Sequence, residues 1–345
     1  MIKRLSGLTL LATLVAGLAL PGFANAQEVT LKLHQFLPPP ARIPADILKP
    51  WAAGVEEASE GRIKIEHFDA MALGGKPPEL MDQARDGVVD IIMTLGGYTP
   101  GRFPKSEVFE LPFIMKDSIA TSKAYWEMVE TTLQEEEFKD VQILGAWVHG
   151  PGVLHTKDPV NTLADMQGKK IRGPTRMIND LLKELGATPV GMPVPAIPEA
   201  LSKGVIDGTV IPWEITTALK LPELVGNHAE IAGDTALYTA TFVLAMNKAK
   251  FDSLPDDLRA ILAEHSGMKL ATLAATVMQA GDAPARAIAT ENGNTIVTLD
   301  EAEVAKWKAA AMPVRERWIA QMKERNIDGA ALIAEAEALI EKHAE

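Results

Sequence analysis

The sequence predicts an α/β protein with two lobes and long helices at its C-terminal end. Residues 73–93 and residues 168–208 share one pattern, in which a short helix ends at a glycine and a strand of buried residues follows. The chain of 345 residues is longer than one ordinary domain. Beyond residue 253 the apolar spacing is mostly helical. We therefore expect two similar α/β lobes with C-terminal helices packed across both.

The N-terminal segment has the features of an export signal. Lys3 and Arg4 precede an apolar run from Leu5 to Leu20, and Ala24-Asn25-Ala26 fits a cleavage site. Removal of residues 1–26 leaves 319 residues, and the loss of two cations changes the formal charge from −12 to −14. No cysteine follows the apolar run, so lipid anchoring at a cysteine is excluded. We expect an exported mature chain, residues 27–345.

Composition and motifs argue against several function classes. The chain has no cysteine and therefore no disulfide, thiolate nucleophile or cysteine-bound metal. Its acidic charge disfavours nucleic acid as a partner. No serine-hydrolase, zinc-protease, phosphate-binding or dinucleotide-binding motif is present, which disfavours an enzyme. His149 and His155 would need a third ligand to hold a metal, so neither a metal site nor a cofactor is expected.

The order of predicted elements divides the chain. The first lobe covers about 27–150 plus part of 235–300, the second covers about 151–234, and the C-terminal helices cover about 300–345. Alternating apolar residues predict strands at 29–35 and 62–68, and further strands are expected at 141–149, 153–156 and 239–247. Helices are expected at about 43–59, 118–137 and 215–221, and from 253 to about 292. The Gly/Pro-rich loop 94–112 is long for an ordinary connection, which suggests a functional loop.

Arg172 is the sharpest candidate for a binding residue. It follows Ile171 on a predicted strand, and Gly173-Pro174 ends that strand. An arginine at a strand end can point into a cleft, where its planar guanidinium matches a carboxylate with two hydrogen bonds. The residues alone leave an ordinary surface arginine as the alternative.

Several segments together resemble the solute-binding proteins of TRAP transporters, the DctP-like family. They are Gly87–Ile91, Glu110–Phe113, Asp165–Arg172, Leu185–Val190 and Gly204–Gly208. The resemblance covers nearly the whole mature chain. It implies a type II-like periplasmic binding protein that acts as a monomer and is not an enzyme. It also implies that the arginine at position 172 grips a ligand carboxylate between the lobes, and that TRAP membrane permease subunits driven by an ion gradient receive the ligand.

Departures from the family pattern suggest the kind of ligand. Many family members have a second arginine where this chain has Gly150-Pro151-Gly152. An asparagine common in the family is replaced by Ile211, and an aromatic residue is replaced by Val194. A ligand with two carboxylates would lose partners here, at a cost of about 1–3 kcal/mol for each unpaired buried polar group. We expect an organic acid with one carboxylate and an apolar or aromatic body.

Further site candidates are side chains at the ends of predicted strands, where open α/β sheets bind ligands. The aromatic candidates are Trp213, Trp147, Tyr98 and Phe36, each of which has a place in the core as its alternative. Glu214, His34 and His149 are candidate polar partners of a ligand hydroxyl or NH group. Lys76 and Arg102 are candidates for a second cation.

Other functions remain open on the sequence alone. The same scaffold could serve a ligand-binding sensor or an enzyme, because a fold does not fix a function. It could also deliver its ligand to an ATP-driven (ABC) importer. The sequence names neither the ligand nor the coupling ion.

Overall fold

A computed structural model describes residues 28–344. The predicted export signal, residues 1–26, lies outside the described residues. Within 28–344 the chain forms two mixed β-sheets, each covered by helices. The α/β two-lobe prediction is confirmed. We call the part built on the first sheet the first lobe and the part built on the second sheet the second lobe.

Five strands form the first sheet, in the order β2-β1-β3-β10-β4. Their bounds are β1 Val29–Gln35, β2 Ile63–Phe68, β3 Ile91–Leu95, β4 Val141–Val148 and β10 Thr241–Asn247. β1 runs parallel to both β2 and β3, whereas β10 runs antiparallel to β3 and β4. All five residues of β3 are buried, as expected for a central strand with helices on both faces.

Six strands form the second sheet, in the order β11-β9-β5-β8-β6-β7. Their bounds are β5 Val153–Thr156, β6 Lys170–Gly173, β7 Thr188–Gly191, β8 Gly208–Ile211, β9 Asn227–Ile231 and β11 Thr295–Leu299. Two of these strands, β9 and β11, were not predicted from the sequence. They pair parallel with each other at the edge of the sheet. Only His228 and Ala229 of β9 and Leu299 of β11 are buried, so neither strand has the continuous apolar sequence of a buried strand.

Eleven α-helices accompany the sheets within the described residues. They are α1 Lys49–Ala58, α2 Leu80–Arg85, α3 Ser118–Met128, α4 Gln134–Glu136, α5 Arg176–Glu184, α6 Ile197–Ser202, α7 Lys248–Asp252, α8 Asp256–Glu264, α9 Gly267–Glu291, α10 Glu301–Glu324 and α11 Gly329–Ala344.

Several predicted helices differ in detail. The segment 43–59 begins as a π-helical stretch, Ile43–Leu48, before α1. The helix expected at 215–221 is wrong: short 3₁₀ turns, Trp213–Ile215 and Leu221–Glu223, stand there instead. The helix expected from 253 to about 292 is divided, because α8 ends at Glu264 and α9 starts at Gly267. Asp300 caps α10, since its side chain accepts a hydrogen bond from the Glu303 N–H.

The chain passes repeatedly between the lobes. Residues 149–152 join β4 to β5, residues 232–240 join β9 to β10, and α7 to α9 lead from β10 back to β11. Helix α10 packs on α5 of the second lobe, and α11 packs on α3 of the first. Arg317 on α10 pairs with Glu184 at 2.8 Å, and Lys342 on α11 pairs with Glu127 at 2.7 Å. The C-terminal helices therefore brace both lobes, as the sequence predicts.

Within residues 28–344, none of the helices combines the length and the apolar character that a bilayer span requires.

Candidate ligand-binding site

Arg172 lies on β6, between β7 and β8, with its side chain completely buried. Its Nε donates to the carbonyl of Met192 at 2.8 Å, and its Nη1 donates to the carbonyl of Val210 at 3.4 Å. These two bonds fix the plane of the guanidinium. Its Nη2 is enclosed and has no hydrogen-bond partner among the described residues. Burial lowers the pKa of Arg172, but an arginine stays charged in proteins, so an incoming anion has a fixed cation to meet.

Two tyrosines accompany this guanidinium. The Tyr98 hydroxyl accepts a hydrogen bond from the Val194 N–H at 3.0 Å, and it also lies close enough to the Arg172 guanidinium to raise the pKa of Arg172. The Tyr238 hydroxyl is buried and has no partner among the described residues. Burial raises the pKa of Tyr238 far above its usual range, so its hydroxyl keeps its proton and can donate. Unpaired buried donors are uncommon in proteins, so Arg172 and Tyr238 together mark an acceptor site.

A cavity of about 30 Å³ lies against Arg172 and Tyr238. Both lobes contribute to its walls, which are mostly apolar. Besides Arg172 and Tyr238, the walls consist of Phe36, Leu37, Ile43, Leu95, His149, Pro174, Val194, Ile211, Pro212, Glu214, Ile215 and Phe242. A pocket with many apolar side chains and few polar groups is typical of a small-molecule site.

His149 is a neutral polar group in this wall. Its Nδ1 lies 2.5 Å from the carbonyl of Gly150, which requires a proton on Nδ1. Burial, and secondarily the charge of Arg172, lowers the pKa of His149 to about 4. The imidazole therefore adds no charge at neutral pH, and its edge packs against the rings of Tyr238 and Phe242.

Glu214 is the only carboxyl in the cavity wall among the described residues. It lies on the 3₁₀ turn that follows β8 and Pro212, and its backbone N–H donates to Asp282 Oδ1 on α9 at 3.0 Å. The pKa of Glu214 is raised to about 8, mainly by burial and secondarily by Asp282, while Arg42 lowers it. Its Oε2 is enclosed without a partner among the described residues.

Six of the ten predicted site residues line this cavity: Arg172, Val194, Ile211, Glu214, His149 and Phe36. Tyr98 stands just outside it and reaches it through Val194. Tyr238, Leu95 and Phe242 were missed. In the sequence, Tyr238 stands out only as an aromatic residue next to the predicted strand 239–247. A residue at such a position can lie in the hydrophobic core as well as in a binding site.

The expectation that Trp213 contacts a ligand is not met by this cavity. Its neighbours Pro212 and Glu214 line the cavity, and Trp213 packs elsewhere. Its Nε1 donates to Glu230 Oε1 at 2.7 Å, and its ring lies 4.9 Å from that of His155 and 4.8 Å from that of His228. The short turn sends consecutive side chains in different directions, which sequence spacing could not resolve.

Trp147 and His34 also lie outside the cavity. Trp147 is fully buried and stacks parallel to Phe242, with the ring centroids 5.9 Å apart, so it supports a cavity residue from behind. His34 contacts Gln83 through Nδ1 at 2.8 Å and accepts the Leu73 N–H through Nε2 at 3.3 Å. Both ring nitrogens are thus used within the first lobe.

Neither candidate for a second cation lines the cavity. Lys76 is exposed at the start of a short 3₁₀ turn. Arg102 pairs with Asp82 at 2.7 Å and lies against the ring of Phe103. Among the cavity-lining residues of the described chain, Arg172 is therefore the single formally charged cation.

Comparison with known proteins agrees with this arrangement. The family model for bacterial extracellular solute-binding protein, family 7 (DctP) matches residues 38–321. The chain belongs to this family. Members are solute-binding proteins of transporters and not enzymes, so the resemblance to TRAP solute-binding proteins is confirmed.

Two solved structures are similar to this family member over nearly its whole length. One is a TRAP solute-binding protein from Rhodoferax ferrireducens T118 in complex with benzoate. It is 50% identical, the match covers 91% of this chain and 98% of that chain, and the TM-score is 0.89. The other is a marine metagenome TRAP solute-binding protein specific for aromatic acid ligands, in complex with 3-hydroxybenzoate. It is 47% identical, the match covers 93% of this chain and 100% of that chain, and the TM-score is 0.90.

A curated relative is more distant. The C4-dicarboxylate-binding periplasmic protein DctP of Rhodobacter capsulatus is 29% identical over 265 residues, which is 74% of this chain and 76% of that protein.

The lobes of this family member are in contact around the cavity. The Tyr98–Val194 hydrogen bond joins the loop after β3 to the loop after β7. Arg176 at the start of α5 makes a two-pronged ion pair with the buried Glu107 of the first lobe. Gly97 lies so close to Thr175 that a Cβ on Gly97 would stand 2.3 Å from Thr175 Cγ2. The structure therefore represents a closed arrangement.

Proposed function

We propose that this protein is the periplasmic solute-binding subunit of a TRAP transporter and that it captures a monocarboxylate with an aromatic or apolar body. The unpaired, buried Nη2 of Arg172 at the wall of an apolar cavity carries the proposal. A carboxylate placed there accepts from Arg172 and from the Tyr238 hydroxyl. The benzoate and 3-hydroxybenzoate complexes of the two similar structures support an aromatic body.

The shape of the cavity favours one carboxylate over two. Apart from Arg172, the cavity wall holds no cation among the described residues, and it includes apolar side chains such as Phe36, Leu95 and Phe242. A second carboxylate would lose its water there without gaining a cation, which is costly in an apolar environment. A C4-dicarboxylate should therefore bind more weakly than benzoate, in contrast to the solute of the Rhodobacter relative.

The mechanism follows from the lobe contacts. In an open form Arg172 is accessible to an anion from solution. Binding places negative charge beside Arg172, and the apolar body fills the space between the lobes. Closure then forms the Tyr98–Val194 and Arg176–Glu107 contacts. TRAP permease subunits would receive the ligand from the closed protein.

The test is ligand binding by the mature chain and by Arg172→Ala, measured by thermal shift and calorimetry. Ligand that binds only the folded state at about 100 times its Kd stabilises it by about 2.7 kcal/mol, so the parent should gain several degrees with benzoate. Arg172→Ala should lose that shift while it keeps the parent's circular dichroism. Arg102→Gln and Lys76→Gln are matched controls that should bind like the parent. Equal affinity of Arg172→Ala and parent would refute the assignment.

A further inference from the structure

The proposed function leaves Glu214 unexplained. The ligand is itself an acid, so its binding gains nothing from an acidic side chain in the cavity wall. An aliphatic residue would fill the same space. Yet Glu214 lines the cavity, and its enclosed Oε2 has no partner among the described residues. Buried polar atoms without partners are uncommon and call for an explanation.

We infer that Glu214 is a specificity-determining residue that hydrogen-bonds to a hydroxyl group on the ligand body, away from the ligand's carboxylate. The inference rests on the proposed function, since it assumes that Arg172 holds the carboxylate. The ligand class it names is a hydroxylated aromatic monocarboxylate.

Glu214 is held firmly in place. Pro212 precedes its turn, and its backbone N–H is bonded to Asp282 on α9. Gly281 on the same helix packs so closely that a Cβ on it would lie 2.8 Å from the Cβ of Glu214. A carboxyl positioned in this way is prepared to bind a partner without rearrangement.

Glu214 and Arg172 reach the cavity from different parts of the second lobe. Thr209 on β8 pairs with Arg172 in the sheet, whereas Glu214 lies five residues later, beyond the end of β8. The charges that act on the Glu214 carboxyl are those of Asp282 and Arg42, whereas Tyr98 and Tyr238 act on Arg172. A ligand in the cavity therefore has both a cation and a carboxyl in the surrounding wall.

The protonation state makes this carboxyl compatible with an anionic ligand. With a pKa raised to about 8, Glu214 is mostly a neutral acid at pH 7. A neutral acid does not repel the ligand, and it can both donate and accept a hydrogen bond. A hydroxyl group has the same two capacities. A ligand without one leaves the Glu214 oxygen unpaired, and sites built for a hydrogen bond reject such analogues.

The experiment measures the Kd of benzoate, 3-hydroxybenzoate and 4-hydroxybenzoate by calorimetry at pH 7. The proteins are the parent, Glu214→Gln, Glu214→Leu and the control Glu137→Gln, which removes a partly buried carboxyl that does not line the cavity. The parent should bind one hydroxybenzoate about tenfold more tightly than benzoate. Glu214→Gln, a neutral isostere, and Glu137→Gln should keep this preference. Glu214→Leu should lose it and bind benzoate at least as well as the parent.

The outcomes separate the two claims. If the parent binds all three acids equally well, or if Glu214→Leu keeps the preference for the hydroxylated ring, the role of Glu214 is refuted while the proposed function stands. If the parent binds none of the acids, both are refuted. If Glu214→Leu fails to fold, the affinities of the parent for the three acids still test the inference, because they need no variant.

Discussion

Arg172 of the second lobe and Tyr238, which lies in the segment joining β9 to β10, are the two donors of the proposed anion site. Arg172 is oriented by the carbonyls of Met192 and Val210, and Tyr238 precedes β10 of the first sheet. The arginine supplies the charge and the tyrosine supplies a neutral donor. Gly152 makes room for this tyrosine, since a Cβ there would stand 2.0 Å from the Tyr238 ring. This chain has Gly152 in the stretch where many family members have a second arginine, and the ring of Tyr238 occupies the space beside that glycine.

Tyr238→Phe should weaken benzoate binding by about tenfold, because a donor to the carboxylate is lost. The same change should leave the melting temperature of the ligand-free protein unchanged or raise it, since it removes an unpaired buried hydroxyl. Calorimetry and thermal unfolding measure the two effects. Tyr125→Phe, at a buried tyrosine away from the cavity, should leave the affinity unaltered. Unchanged benzoate affinity of Tyr238→Phe would show that the hydroxyl does not contact the ligand.

The loop after β3 and the start of α5 are the elements that meet when the lobes close. Gly97 belongs to the 3₁₀ turn Gly96–Tyr98, and Thr175 is the residue before α5. Their separation allows no side chain on Gly97. The long loop 94–112, which the sequence marked as functional, thus supplies both Tyr98 and this close approach.

Gly97→Ala should weaken ligand binding by about tenfold, because its methyl group and Thr175 cannot occupy the same space in the closed form. The ligand-free fold should persist, since the lobes can stay apart. Calorimetry gives the affinity, and small-angle X-ray scattering shows whether the ligand still makes the protein more compact. Gly226→Ala is the matched control, because nothing lies within 4 Å of a Cβ at Gly226. Parent-like compaction of Gly97→Ala would contradict this account of closure.

The molecule as a whole carries buried acids whose protonation couples to folding. The pKa of Glu214 is raised from 4.5 to about 8, mainly by burial. Between about pH 4.5 and pH 8, Glu214 is therefore protonated in the folded state and ionised in the unfolded chain. The contribution of Glu214 to stability is therefore fully present below about pH 4.5 and is lost as the pH rises to about 8.

Urea unfolding of ligand-free protein from pH 4.5 to 8.5 tests this coupling. The free energy of unfolding of the parent should fall with rising pH relative to that of Glu214→Gln, because the glutamine cannot ionise. Above about pH 8 the difference should become constant. Glu223→Gln, at an exposed position, serves as the control. A difference that does not vary with pH would mean that Glu214 ionises normally.

The sequence by itself determined the α/β lobes, the strand that carries Arg172 and the helical C-terminal brace. These features depend on local periodicity, on glycines that end helices and on prolines that end strands, all of which are legible along the chain. It also predicted Arg172, Val194, Ile211, Glu214, His149 and Phe36, which the structure brings to the wall of one cavity because they lie at or just after the ends of strands in both sheets.

Only the tertiary structure decided which aromatic side chains face the cavity. Trp213 and Tyr238 both stand beside strands, and nothing local distinguishes the direction in which each ring points. Packing turned Trp213 towards Glu230 and His155, and the space beside Gly152 admitted Tyr238. The edge strands β9 and β11 likewise could be recognised as strands only from their pairing with each other in the structure. Direction and long-range pairing depend on contacts between distant residues, and sequence periodicity does not encode those contacts.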